Sequence, residues 1–102
     1  MASNFGILTR RKNDSLNLKL IGDFDGNSAC ELLNLLKEKC DGVKKVVIHT
    51  SGLKDIYPFG KDTFQNNLYT LKDKRVRFVF KGKNAGQLVP ERRKTFLNVV
   101  VP

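Results

Sequence analysis

The chain has no tryptophan, one histidine (His49), one methionine and two cysteines, Cys30 and Cys40. A lone histidine and the absence of any Cys-x-x-Cys spacing remove the ligand sets of a tetrahedral zinc site, and two cysteines make no disulfide framework. Long apolar runs are missing too. No stretch approaches the ~20 residues of a membrane span, and the opening Met-Ala-Ser-Asn shows no basic segment leading into an apolar one, so the protein is expected to be cytoplasmic. Negative charge is scarce: 10 acidic residues stand against 19 lysines and arginines, a net charge of +9. Such a surplus attracts an acidic protein, a nucleic acid or an anionic membrane, and its sign alone does not choose among them. The cations are densest in the last third (Lys72, Lys74, Arg75, Arg77, Lys81, Lys83, Arg92, Arg93 and Lys94) but alternate with apolar residues, as on a solvated face.

What remains is the material of a folded domain. A length of 102 residues suits one core, and 40% hydrophobic with 28% charged residues is the balance of a globular chain. Residues 1–102 are therefore expected to form a single domain.

Alternation marks the first two strands. From Asn4 to Lys12, Phe5, Ile7 and Thr9 alternate with Gly6, Leu8 and Arg10, and Leu16, Leu18 and Leu20 alternate with Asn17 and Lys19. Asn13 and Asp14 between them tolerate the positive φ of a tight hairpin, which predicts antiparallel pairing. Ala29, Leu32, Leu33, Leu36 and Cys40 then fall on one helical stripe. Ser28 and Glu31 have capping-box spacing, and Gly42 suits a left-handed stop. The run Val46-Val47-Ile48 predicts a strand buried on both faces.

A second stripe, Gly60, Thr63, Phe64, Asn67, Leu68 and Leu71, predicts a helix starting shortly after Pro58. Val76, Phe78 and Phe80 alternate with Arg75 and Arg77 as another strand. Residues 81–89 read as a loop, Pro90 opens a short helix to about Leu97, and Val99 to Val101 add a last strand. The expected fold class is α/β: a mixed sheet with an antiparallel N-terminal hairpin, then parallel strands joined by crossovers, and helices mainly on one face.

At Leu18-Lys19-Leu20-Ile21-Gly22-Asp23-Phe24-Asp25-Gly26-Asn27-Ser28-Ala29 the chain resembles the STAS family, the anti-sigma-factor-antagonist-like domains. The shared pattern is an apolar strand, Gly, an acidic residue, an apolar residue, Asp and a short polar turn into a helix. The likeness continues through Val46-Val47-Ile48, the spacing to Leu53 and Gly60, following element order over residues 5–100. It implies a bacterial regulatory module without catalytic machinery or cofactor. Such a module docks a protein, an anti-sigma factor or kinase-like regulator, through the loop before the second helix.

Family members carry a phosphorylatable serine in that loop. Here the stretch is Tyr57-Pro58-Phe59-Gly60, with no hydroxyl at the acceptor position; the nearest alternatives are Ser51, expected at a strand end, and Thr63. A phosphate there would add about two negative charges at a helix N-terminus and abolish complementarity. An apolar Tyr-Pro-Phe loop instead suits a constitutive contact, or Phe59 covers the end of the sheet. Asp23 and Asp25 either shape the docking surface or serve turn chemistry and the helix dipole. The expected partner-binding edge comprises Asp23, Asp25, Asn27 and Ser28 from the turn after Ile21, with Asp55, Tyr57, Pro58, Phe59, Gly60 and Thr63 from a loop spanning Lys54 to Thr63.

Other readings compete. Asp23-Phe24-Asp25-Gly26 also resembles the first motif of haloacid-dehalogenase-type phosphatases, a nucleophilic Asp with a general-acid Asp two residues on. No late acidic cluster follows to hold magnesium, however. His49 lacks a serine in a nucleophile-elbow pattern, and Gly82-Lys83-Asn84-Ala85-Gly86 lacks the spacing of a phosphate-cradling P-loop. A basic nucleic-acid-binding domain is the stronger alternative. Against it, Phe78 and Phe80 share Val76's parity and so point to the core instead of offering a stacking face.

Overall fold

The computed structural model describes residues 4–39, 42–68 and 76–88, and the backbone of residues 98–100. The elements run β1 (Gly6–Lys12), β2 (Ser15–Phe24), α1 (Gly26–Lys39), β3 (Lys45–Ile56), α2 (Pro58–Leu68), β4 (Arg77–Lys81), α3 (Ala85–Leu88) and β5 (Asn98–Val100). The sheet order is β1-β2-β3-β4-β5. Its first pair is antiparallel and the other three are parallel. Asn13 adopts φ 57°, so the hairpin turns through Asn13-Asp14, with Lys12 opposite Ser15.

Alternation decides which face is covered. Leu16, Leu18, Leu20 and Phe24 of β2 are buried on the side where α1 places Ala29, Leu32, Leu33 and Leu36, and α2 adds Phe64 and Leu68. Phe5, Phe24, Phe64 and Phe80 form an edge-to-face relay, with successive ring centroids 5.9, 6.0 and 6.2 Å apart. Each such pair adds about 0.5–1.5 kcal/mol beyond its buried area. The relay ties the chain ahead of β1 to β2, α2 and β4. Phe78 and Phe80 are fully buried, as their parity requires.

Several expectations are corrected. β1 begins at Gly6, two residues later than Asn4. α1 is capped by Asp25, not Ser28: the Asp25 carboxylate accepts the Ser28 backbone N–H at 2.9 Å, which makes Ser28 the third helical residue. Aspartate and serine both cap well, and the two candidate caps share an i, i+3 spacing, so local sequence alone did not separate them. Gly42 takes φ 76°, as a left-handed stop needs.

β3 does not end after the apolar run. It continues to Ile56, with register shifts against β2 where Gly52 interrupts the alternation. The carbonyls of Thr50 and Leu53 accept the Asn84 side-chain amide at 3.2 and 3.4 Å, so the irregular stretch keeps its polar groups partnered. Lys54, Asp55 and Ile56 are thus strand, Tyr57 alone is the connection, and α2 starts at Pro58 itself. Proline suits that first helical position because its missing N–H has no intrahelical acceptor there. The stretch read as a loop over 81–89 contains the single turn α3. The helix expected from Pro90 to Leu97 lies outside the described residues, as do Cys40, Leu71 and Val101.

Candidate functional site

Because β2 and β3 are parallel neighbours, their C-terminal ends and the N-termini of α1 and α2 emerge at one rim. The Tyr57 N–H donates to the Phe24 carbonyl at 3.0 Å, binding the two exits together. Gly60 makes this approach possible. A Cβ there would lie 2.6 Å from the carbonyl carbon and oxygen of Asp25 and 2.7 Å from the Phe24 oxygen. The first turn of α2 therefore rests directly on the main chain entering α1.

The Asp25 carboxyl is held below its ordinary value, chiefly by the Ser28 N–H. The Ser28 hydroxyl, which donates to Asp25 Oδ1 at 3.0 Å, and the Asn27 N–H help, and partial desolvation opposes them. The Ser28 hydroxyl also lies 2.9 Å from the Asp23 carbonyl, in donating geometry. Asp25 is therefore an ionised helix cap, which is the opposite of the protonated state a general acid needs. Asp23 is half-buried, its N–H donates to Asn4 Oδ1 at 3.3 Å, and its Oδ1 is buried without a hydrogen-bond partner among the described residues.

The exposed chemistry of the rim is aromatic. Phe59 is 74% exposed and Tyr57 46%. The Phe59 ring lies over Gly26, where a Cβ would come within 2.7 Å of two ring carbons. A shallow hollow of about 340 Å³ beside it is lined by Asp25, Gly26, Asn27, Cys30, Phe59 and Thr63.

The rim thus gathers Asp25, Asn27, Tyr57, Pro58, Phe59, Gly60 and Thr63. Ser28 is there but buried, its hydroxyl turned to the cap. Asp55 stands exposed as the penultimate residue of β3, not on a loop. Ser51 and His49 lie within β3 and not at its end; they line a separate concavity on the opposite face of the sheet. Thr63 is half-buried in α2.

Sequence reasoning did not single out Gly26 and Cys30 for this rim. Cys30 is free and exposed, and its place off the apolar stripe of α1 was the available signal. Among the described residues no group of three or more histidine, cysteine, aspartate or glutamate side chains is arranged to hold a metal.

No family model matches the chain. No curated protein matches it in sequence. Solved structures do resemble it in fold. The anti-sigma factor antagonist SpoIIAA, in its unphosphorylated form, superposes with a TM-score of 0.63 at 13% identity, over 96% of this chain and 86% of that one. An uncharacterised DUF3478-family protein with a SpoIIAA-like fold, from Shewanella loihica PV-4, gives 0.61 at 17% identity over 100% and 90%. The protein Mglu gives 0.65 at 22% identity, and there the chain spans 83% of its own length but 20% of Mglu's. The fold is SpoIIAA-like, that is, STAS-like.

Proposed function

We propose that residues 1–102 form one STAS-like domain that acts in the bacterial cytoplasm as a non-enzymatic regulatory module, docking a protein partner through the rim where α1 and α2 begin. The observation that carries this reading is Phe59: a phenyl ring 74% exposed, seated on Gly26 beside half-exposed Tyr57 and a shallow hollow. Aromatic side chains supply much contact area for little ordering cost and dominate binding hot spots. Pro58 and the close approach at Gly60 hold the pair rigid before any partner arrives, which lowers the cost of association. The SpoIIAA-like fold favours a partner of the anti-sigma-factor or kinase-like class, since SpoIIAA is itself an anti-sigma factor antagonist.

A constitutive contact fits the rim better than a phosphate switch. Tyr57-Pro58-Phe59-Gly60 is apolar, Ser51 lies on the other face, and Thr63 is half-buried. The test is a photo-cross-linking amino acid placed at Tyr57 in the full chain, with Glu38 near the far end of α1 as the control position. A specific adduct formed from position 57 and lost on Phe59→Ala supports the rim. The same adduct from both positions, or one indifferent to Phe59→Ala, counts against it.

A further inference from the structure

The sheet has a second face, and α1 and α2 leave it uncovered. The register sorts that face into rows running across four strands. One row holds Lys12, Ser15, Lys45 and Arg77; the next holds Arg10, Asn17, Val47 and Val79; the third holds Leu8, Lys19, His49 and Lys81. Six cations therefore stand on three adjacent rows: Arg10, Lys12, Lys19, Lys45, Arg77 and Lys81. All six are exposed, the rows contain no acidic residue, and none of the six has an ionic partner among the described residues. Among the described residues the one ion pair at this end of the sheet is Lys44 with Asp14 at the hairpin, 3.8 Å. Strand spacing of ~4.8 Å and a rise of ~3.3 Å per residue spread these charges over roughly 14 Å in each direction.

We propose that this face binds the phosphate backbone of a double-stranded nucleic acid, independently of the rim. Charge complementarity requires an anionic occupant, and three features select this one. The face holds a depression of about 640 Å³ lined in part by Arg10, Asn17, Lys19 and His49, and a basic hollow suits a convex rod better than a flat bilayer. Its centre is closed to membrane insertion, because Val47 and Val79 are only 6% and 8% exposed, and Leu8, at 58%, stands on the outer strand. It carries no phenylalanine, tyrosine or tryptophan on these rows and His49 is half-buried in the floor, so it lacks the row of exposed rings on which single-strand bases stack, while lysine, arginine, Asn17 and His49 can all serve phosphate oxygens. His49 Nε2 lies 3.4 Å from Asn17 Oδ1, which holds the two polar side chains together in the floor.

The expected behaviour is non-specific and strongly dependent on salt. Each neutralised phosphate contributes about −0.9 to the slope of log K against log salt, so full engagement of the face gives a slope near −5 and a loss on the order of 10³-fold between about 50 and about 200 mM salt. The experiment is fluorescence anisotropy of a short mixed-sequence DNA duplex titrated with the full chain across that range.

The triple variant Lys19→Gln, Lys45→Gln, Lys81→Gln should bind more than about tenfold weaker at the lowest salt and lose about 2.7 from the slope. These side chains are exposed, and circular dichroism checks that the variant is folded. A second variant, Lys81→Glu alone, should weaken binding in the same direction. Phe59→Ala should bind the duplex as the parent does, which separates failure of this proposal from failure of the rim. An unchanged slope in the triple variant, no binding of the duplex by the parent protein at about 50 mM salt, or preference for phosphatidylserine vesicles over the duplex would each overturn it.

Discussion

Replacing Gly60 by alanine adds one methyl group where α2 meets the chain entering α1. Taken as an isolated helix residue, the change is favourable: alanine exceeds glycine by about 1 kcal/mol in helix propensity. Here the new Cβ would sit 2.6 Å from the Asp25 carbonyl and 2.7 Å from the Phe24 oxygen, where ordinary contact begins at 3.4 Å. The neighbours are backbone, so they cannot swing aside, and the first turn of α2 must retreat by roughly 0.8 Å. Overpacking of this kind costs about 1–3 kcal/mol, and the retreat also stretches the Tyr57 to Phe24 hydrogen bond, a contribution of about 1 kcal/mol. The net expectation is a loss of about 1–3 kcal/mol, or a urea midpoint lower by about 1 M. Gly86→Ala is the control, because a Cβ there meets nothing within 4 Å; it should be neutral or slightly stabilising. A Gly60→Ala protein that unfolds at the same urea concentration as the parent, or higher, would refute the close-approach argument on which the rim geometry depends.

Other outcomes follow from the same contacts. Phe64→Ala removes the middle ring of the aromatic relay from a fully buried position and should cost about 3–5 kcal/mol by chemical denaturation, a large part of a domain's usual stability. Asn13→Val places a β-branched residue at φ 57° and should destabilise by about 1–2 kcal/mol, whereas Asn13→Gly should be close to neutral. Asp25 has a folded-state pKa below its ordinary value of 3.8, so its contribution is complete above that value and fades as pH falls below it. Acid titration followed by circular dichroism should accordingly show a shallower loss of stability below about pH 4 in Asp25→Asn than in the parent. Phe59→Ala, by contrast, should change stability by no more than about 0.5 kcal/mol, because the ring is largely exposed.

The parts of the fold that were legible from sequence are those where one periodicity governs a whole element. Leu16-Leu18-Leu20 and Phe78-Phe80 alternate cleanly and lie in the core, and Ala29, Leu32, Leu33 and Leu36 form the stripe of α1. Legibility failed where two local rules competed or a pattern broke. Asp25 and Ser28 both satisfy the rule for a cap, and only the path of β2 into α1 decides for Asp25. β3 reads as ending near Ser51 because Gly52 and the register shifts disrupt its alternation, although the backbone continues to Ile56. That error turned Lys54, Asp55 and Ile56 into loop and set Ser51 at a strand end. The juxtaposition of the two rim segments was legible for a topological reason: once β2 and β3 are parallel neighbours, their C-terminal exits must lie side by side. Of the cations of the open face only Arg77 and Lys81 belong to the basic run evident in the sequence; the others are dispersed over the first three strands, and only the register brings all six together.

β1 sits at the margin of the sheet, paired on one side by β2, and its outward flank leaves backbone donors and acceptors that another extended chain could match. Arg10, Arg11 and Lys12 close that strand with three consecutive positive charges. They act as gatekeepers, since a second copy pairing in parallel along this edge would bring the same charges against themselves. Neutralising those three residues would therefore expose a template for self-association as well as alter a surface.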